Sequence, residues 1–463
     1  KNLDDDVDLS EVSVPLLQEA ETFKLKTRIT GHGHHSNTGD YPHCCEWKDN
    51  THYLLVNGNQ VADWHIFQYN ECAENAVFPQ GGTWPGAREG WCPGDVVKLN
   101  EFEITDYIQG DEVSLDYEIT PVPPDNQGMG NGNYHIAMHL MQYSSPNFEN
   151  DVELYDVIVP NEWEYYSRKN PACSDPKVII RNNGTSTLNS LNIRYGVVGG
   201  EQQNYLWEGE LKSMEFEKIT LPVPGAYFWF GDSTNRFKVT VLQPNGMKDE
   251  YAANDTYTTS FIMPDMYDQK IALWLKTNKQ AYRYSLIVKD VLGEILLSRT
   301  GLANDSLYVD TLDIEDGCYT IRLLDEENMG LSYWAYPAQG SGYFRICDME
   351  GNILKSFEPE FGRSINYSFL QGDISFVQDP GLDQLVNVYP NPAGDYLYIN
   401  LKGIHGQVQV NLFDMLGRPL LNEQCGINGN ELRLKTASLK SGMYLLFIRT
   451  EQLRLKRKII VRN

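Results

Sequence analysis

Hydrophobic and polar residues alternate along this chain in short runs, punctuated by Gly, Asn, Asp and Pro. "LNIRYGVV" (191–198), "RFKVTVLQPNG" (236–246) and "SLIVKDVLGEILLS" (285–298) all carry a period of two. Residues two apart face the same side of a strand, so such runs predict half-buried strands. Almost no stretch shows the 3.6-residue period of an amphipathic helix. Strand runs spaced this closely predict antiparallel sandwiches or barrels, and the expected fold class is all-β. Polar or proline-marked joints at "SSPNFEND" (144–151), "IMPDMYDQ" (262–269) and "VQDPGLDQ" (377–384) divide the chain. Four units are expected, at 1–148, 149–263, 264–380 and 381–463.

Composition supports sizeable cores and a β-rich fold: 41% of residues are hydrophobic and 12% aromatic. The net charge of −25 argues against nucleic acid or an anionic membrane as primary partner. No apolar run is long enough for a membrane-spanning helix. The opening Lys1-Asn2-Leu3-Asp4-Asp5-Asp6 is polar, unlike a secretory leader, so the protein is either cytosolic or already trimmed. Eight cysteines in this length leave the redox compartment open.

The last unit settles the compartment through a resemblance. It holds "VNVYPNPAGDYLYINL" (386–401), "VQVNLFDMLGRPLL" (408–421) and "SGMYLLFIRTEQLRLKRKIIV" (441–461). Taken alone these are strands with polar turns, "DMLG" being a tight turn. The basic run of Arg454, Lys456, Arg457 and Lys458 would be a charged edge that resists further pairing. Together "VYPNP", "LFDMLGR", "SGMYLL" and "KRKIIV" resemble the type A C-terminal sorting domain of the type IX secretion system. The resemblance implies a bacterium of the Bacteroidetes type and a removed leader. It also implies passage through the periplasm and across the outer membrane, with the translocon and its shuttle proteins as partners. Disulfides are then permitted.

Chemistry concentrates in the first unit. "TRITGHGHHSNTGDYPHCCEWKDNTHYLLVNGNQ" (27–60) and "NECAENAVFPQGGTWPGAREGWCPGDVV" (70–97) read as structured loops between strands, where functional residues gather. Their "TGHGH", Cys-x-Glu-Trp corner, "TH" and "GGTW…REGWCPG" loop resemble the second jelly roll of peptide-N-glycosidase F. That family hydrolyses the bond between asparagine and the first N-acetylglucosamine of an N-glycan, without a cofactor. The resemblance implies that Glu46 is the site carboxylate and that Arg88 pairs with it. Trp47 would offer a face to a sugar ring, and His34 would stand near the site. It also implies a Cys72–Cys92 disulfide pinning the "GGTW" loop.

This sequence departs from the family in three respects. Lys48 replaces the cysteine that closes the corner, so Cys44 or Cys45 is free or pairs elsewhere, Cys173 being one candidate. His32 replaces a tryptophan in the wall of the sugar pocket. The family's catalytic aspartate lies on a preceding jelly roll that this chain does not include, so Lys1 is expected to be a cleavage point or a boundary of the expressed piece. N-glycans or glycoproteins, and an N-terminal jelly-roll fragment of the same precursor, are the further partners implied.

Other readings stay open. His32, His34, His35, His43, Cys44 and Cys45 are imaginable zinc or copper ligands, although their spacing matches no standard finger. "HIAMH" (135–139) places His135 and His139 on one strand face as a further ligand pair. The ordinary alternative for each is a polar loop residue. "KVIIRNNGTSTLNSLNIRYGV" (177–197) reads as two strands about an Asn-Gly hairpin turn in an Ig-like or CARDB-like unit. The third unit, with "GCYTIRLLDEENMGLSYWAYPAQGSGYFRI" (317–346), resembles a CUB-like module. There Cys318 and Cys347 could bridge the sheets, and Asp325, Glu326 and Glu327 could hold calcium, a solvated turn being the plainer choice. "YWAYP" hints at carbohydrate contact, against a core aromatic strip. "DSL" (305–307) and "DTL" (310–312) resemble O-glycosylation acceptors of the same bacterial group. Two functions therefore compete: part of an N-glycan amidase, or a non-catalytic surface protein for glycan binding or adhesion.

Overall fold

The computed structural model describes residues 2–3, 9–35, 45–120, 128–168, 172–232, 234–372, 386–401, 406–414, 419–427, 431–449 and 454–462. His43, Cys44, the "VQDPGLDQ" joint, the turn at 415–418 and the side chains of His34, His35 and Cys425 lie outside them. The described chain is strands and short 3-10 turns, paired into eight sheets. No helix among the described residues is long and apolar enough to cross a membrane.

Two antiparallel four-stranded sheets face each other in the first 143 residues. One is ordered Asn2–Leu3, Gly128–Tyr143, Thr22–His35, Asn100–Glu103, and the other Val12–Pro15, Glu112–Ile119, His52–Val56, Asn59–Trp64. Alternation does what period two requires. In His52–Val56 every second residue is buried, and in Glu112–Ile119 Val113, Leu115 and Tyr117 turn inward. They meet Phe23, Leu25 and Ile29 from the long strand Thr22–His35.

The second pair of sheets is built on Lys177–Asn182 and Leu188–Val197, which go to different sheets. The Asn-Gly turn between them is thus an arch across the sandwich, not the hairpin expected. Lys177–Asn182 pairs with Val152–Val159 and Phe216–Thr220, while Leu188–Val197 pairs with Gln203–Leu211 and Arg236–Leu242. An Asn-Gly turn reverses the chain but does not say which sheet receives the return strand.

The third pair has Ile271–Lys276 and Tyr343–Cys347 in one sheet, with Tyr284–Asp290, Gly317–Asp325 and Ser364–Gln371 in the other. Cys318 and Cys347 do not bridge these sheets. Cys318 faces the core of the preceding unit and bonds Cys173, leaving Cys347 a buried free thiol. The same bond removes Cys173 as a partner for Cys44 or Cys45. Asp325 is no open calcium ligand: it is sealed against Arg283 at 3.1 Å and accepts the N–H groups of Glu327 and Met329.

The three units grip one another. Arg168 lies buried between them and donates to four carbonyls, those of Ala73, Asn75, Phe361 and Ser364. The last pair of sheets has its own core of Leu397, Ile399, Val410, Leu446 and Ile459. Its final strand, Arg454–Val461, lies at a sheet edge and is latched to the proline motif. Ile460 donates to Asn391 Oδ1, and Ala393 donates to the Ile460 carbonyl at 2.7 Å.

Candidate functional site

Three stretches far apart in sequence converge at one end of the first sandwich. The strand end at Gly31–Gly33 receives the Cys45–Glu46 turn, and the turn receives the extended segment at Arg88–Gly90. Glu46 N–H donates to the Gly33 carbonyl at 3.2 Å, Glu89 N–H to Glu46 at 2.9 Å, and Gly31 N–H to Glu89 at 2.9 Å. The glycine of "TGHGH" is required here. A Cβ on Gly31 would sit 2.0 Å from the Cys45 carbonyl oxygen. Gly90 adopts φ +79°, and its Cβ would meet the Ile29 carbonyl oxygen at 2.1 Å.

Arg88 is the centre of the corner. Its Nε donates to Glu46 Oε1 at 3.1 Å, Nη1 to the Gly86 carbonyl at 2.9 Å, and Nη2 to Thr83 Oγ1 at 3.1 Å. The guanidinium lies 4.3 Å from the Trp47 ring centroid and 5.2 Å from that of Trp91. Such a cation between indole faces gains from their quadrupoles. Burial draws Arg88 below its ordinary pKa range, and Glu46 acts against that. Glu46 is the more open partner, with a fifth of its side chain exposed against a twentieth for Arg88. Arg88 therefore orients the Glu46 carboxylate, which keeps partial access to solvent. Cys72 and Cys92 are disulfide-bonded, closing the loop that carries Thr83, Gly86 and Arg88.

His32 stands beside this corner. Its ring is 5.3 Å from Trp91 and 4.8 Å from His135, and Nε2 lies 2.8 Å from Thr30 Oγ1. Burial and then His135 lower its pKa, and Glu46 opposes them, so the ring favours its neutral form. The backbone of His34 continues the same strand. Cys45 is buried and disulfide-bonded to a partner outside the described residues. The proposed His135–His139 ligand pair fails on geometry: four residues along a strand span about 13 Å, too far to share one ion. Among the described residues no three of His, Cys, Asp and Glu group as a metal site.

A second acid–base pair, absent from the sequence expectations above, adjoins the first through the consecutive residues Arg88 and Glu89. Glu89 and His52 are fully buried, with Nε2 and Oε1 sharing a 2.8 Å hydrogen bond. His52 Nδ1 lies 2.5 Å from the Tyr117 hydroxyl, and Asn50 N–H donates to Glu89 Oε1. Burial pushes Glu89 up to about 9 and His52 down to about 3, so both are neutral near pH 7. A signal was present. Glu89 follows Arg88 in an extended segment, where successive side chains point to opposite sides. If Arg88 faces the site, Glu89 faces the core, and His52 is the "TH" histidine of the same motif set.

The described chain is thus an all-β protein of successive sandwiches, with a carboxylate–guanidinium–indole corner at one end of the first and a terminal module whose edge strand is latched to its own proline motif. Residues 2–141 match the family described as peptide-N-glycosidase F, C terminal, and residues 387–462 the secretion system C-terminal sorting domain. The protein is a secreted cargo of the type IX system that resembles peptide-N-glycosidase F. Its sorting domain engages the secretion machinery and directs export across the outer membrane to the cell surface or the medium. Among curated relatives, peptide-N(4)-(N-acetyl-beta-D-glucosaminyl)asparagine amidase F of Elizabethkingia miricola is 28% identical over 109 residues, 23% of this chain and 30% of that protein. An endo-acting ulvan lyase of Formosa agariphila is 29% identical over 115 residues, 24% of this chain and 22% of that protein. The solved structure of PNGase F, a glycosylasparaginase from Flavobacterium meningosepticum, aligns at 25% identity and a TM-score of 0.27, covering 29% of this chain and 43% of that one. The chain thus spans less than half the length of each of these proteins.

Proposed function

We propose that the Glu46–Arg88–Trp47 corner recognises the innermost sugars of an N-glycan, as one half of a peptide-N-glycosidase F-like amidase site. The observation that carries this reading is the Arg88 guanidinium, held between Trp47 and Trp91 and bonded to Glu46. Arg88 takes Oε1, and among the described residues nothing bonds Oε2. That oxygen is available to a sugar hydroxyl or to water, and the half-buried Trp47 is its neighbour in the chain. The water-activating aspartate would come from a preceding jelly roll of the same precursor, and with it the glycosylated asparagine side chain would be hydrolysed to aspartate. Units 149–263 and 264–380 would carry the site outward from the terminal module at 381–463, which meets the translocon and its shuttle proteins. In the complete precursor, Glu46→Gln is expected to abolish glycan release from an N-glycoprotein while the chain is still secreted; undiminished release would refute the assignment.

One observation favours a second reading, a glycan-binding surface protein without catalysis. His32 occupies the wall where the family has tryptophan, packed against Trp91 and His135. Full binding of glycans by a precursor that releases none would establish it.

A further inference from the structure

The "YWAYP" loop (333–337) belongs to the third unit, yet it reaches the first unit's site. Tyr333 OH and Trp334 Nε1 both donate to the Gly82 carbonyl, at 3.1 and 2.9 Å. Gly82 precedes Thr83, whose hydroxyl accepts from Arg88, and Tyr333 is close enough for its electrostatics to act on Arg88. The contact therefore runs unbroken from Glu46 through Arg88 and Thr83 to Trp334.

What this loop presents is aromatic and open. Trp334 is 57% exposed and Tyr336 48% exposed, whereas Tyr333 beneath them is buried. Tyr333 lies 5.9 Å from Trp334 and 5.8 Å from Tyr336, centroid to centroid. The floor beside them is bare, since a Cβ on Gly81 or Gly82 would meet nothing within 4 Å. The base is rigid. Arg283, buried against Asp325, donates to Gln339 Oε1 at 3.2 Å, and Lys279 N–H donates to the Gln339 carbonyl at 2.9 Å. On the other side Trp84, fully buried, donates to Glu360 Oε1 at 3.0 Å. A core strip would not leave two large rings in water beside an open floor. A solvent-facing indole fixed by its N–H is instead preorganised to meet an apolar face.

We infer that Trp334 and Tyr336, with the Gly81–Gly82 floor, form a distal saccharide subsite that takes the outer neutral sugars of the same glycan whose core lies at Glu46 and Arg88. The inference rests on the glycan reading above and extends it: the third unit is part of the binding site. Sugar rings carry C–H faces that stack on aromatic planes, and hydroxyl edges that suit the polar backbone of the floor. A chain of sugars leaving the Arg88 corner toward Gly82 meets this ledge next.

The test is calorimetric titration of the full chain with two probes, N,N′-diacetylchitobiose and a high-mannose oligosaccharide ending in that same core. The wild-type chain is expected to bind the longer probe about tenfold more tightly, the weight of a well-placed aromatic contact. The Trp334→Ala/Tyr336→Ala double variant is expected to lose that preference and keep its affinity for diacetylchitobiose. Trp334→Phe, which keeps a ring, is expected to retain most of it. Gly81→Leu, which adds bulk over the floor without altering the aromatic loop, is expected to remove it as well. Glu46→Gln is expected to weaken both probes alike. Equal wild-type affinity for the two probes, or a double variant that keeps the preference, overturns the subsite and leaves the core reading standing. A wild-type chain that binds neither probe overturns both.

Discussion

Arg88 and Glu89 are consecutive residues, and each anchors an acid–base pair, yet the two pairs belong to different physical worlds. Arg88 meets Glu46 at the rim, where the carboxylate is partly open and the cation is braced by backbone carbonyls and indoles. Glu89 meets His52 with no exposure at all, and burial makes both groups neutral. In the first pair, the Glu46 carboxylate keeps partial contact with water while Arg88 is held by further hydrogen bonds. In the second, the charge is given up because desolvating two ions would cost more than their attraction returns. Function is expected at the rim, and stability beneath it.

The comparison breaks most visibly if the sealed pair is cut. His52→Ala strands Glu89 and the Tyr117 hydroxyl and leaves a cavity, and is expected to cost about 3–5 kcal/mol in chemical denaturation. Next in size is the effect of pH. Glu89 holds its proton in the folded state after the unfolded chain has released it, so its contribution is complete below about pH 4.5 and declines as pH rises toward 9. His52 has the reverse sign: its contribution is complete above about pH 6.5 and is lost as pH falls toward 3. From this pair stability is expected to be level between about pH 4.5 and 6.5 and to fall on either side, by at most about 1.4 kcal/mol per pH unit. Glu89→Gln is expected to flatten the alkaline limb in denaturation series at several pH values.

The rim pair responds differently. Glu46→Gln keeps shape and a hydrogen-bond acceptor, and Arg88 keeps the Gly86 carbonyl and Thr83 hydroxyl, so the stability cost is expected to stay at about 1 kcal/mol. Affinity for diacetylchitobiose is expected to fall at least about tenfold, measured by titration. The smallest effect is that of Thr83→Val, which takes one acceptor from Arg88 and is expected to cost about 1 kcal/mol, read as a modest drop in melting temperature.

Much of the architecture was legible. "SLIVKDVLGEILLS" folds as the antiparallel pair Tyr284–Asp290 and Ile295–Arg299, because alternation and an Asp-x-x-Gly turn agree. The arch at Asn183–Gly184 was not legible, since local turn chemistry carries no information about which sheet completes the pairing. The Cys173–Cys318 bond joins residues 145 apart and depends on how two sandwiches dock, which no spacing reveals. The Glu46–Arg88 pair, 42 residues apart, came from a motif resemblance, and the structure brings the two within hydrogen-bond reach. Glu89 sits inside the "REGWCPG" motif, where only the alternation of an extended segment points it inward to His52. The contact of Trp334 with the Gly82 carbonyl depends on packing between units, and only three-dimensional structure exposes it.

The measurement that bears most directly on the site is titration of a short N-glycopeptide, bearing only the diacetylchitobiose core, into the full chain and into its Glu46→Gln variant, with the variant's melting curve taken alongside. Saturable binding by the wild type, weakened at least about tenfold in a variant that melts as the wild type does, is the expected result. Equal affinity in the two proteins would contradict the assignment of the Glu46–Arg88 corner as the glycan site.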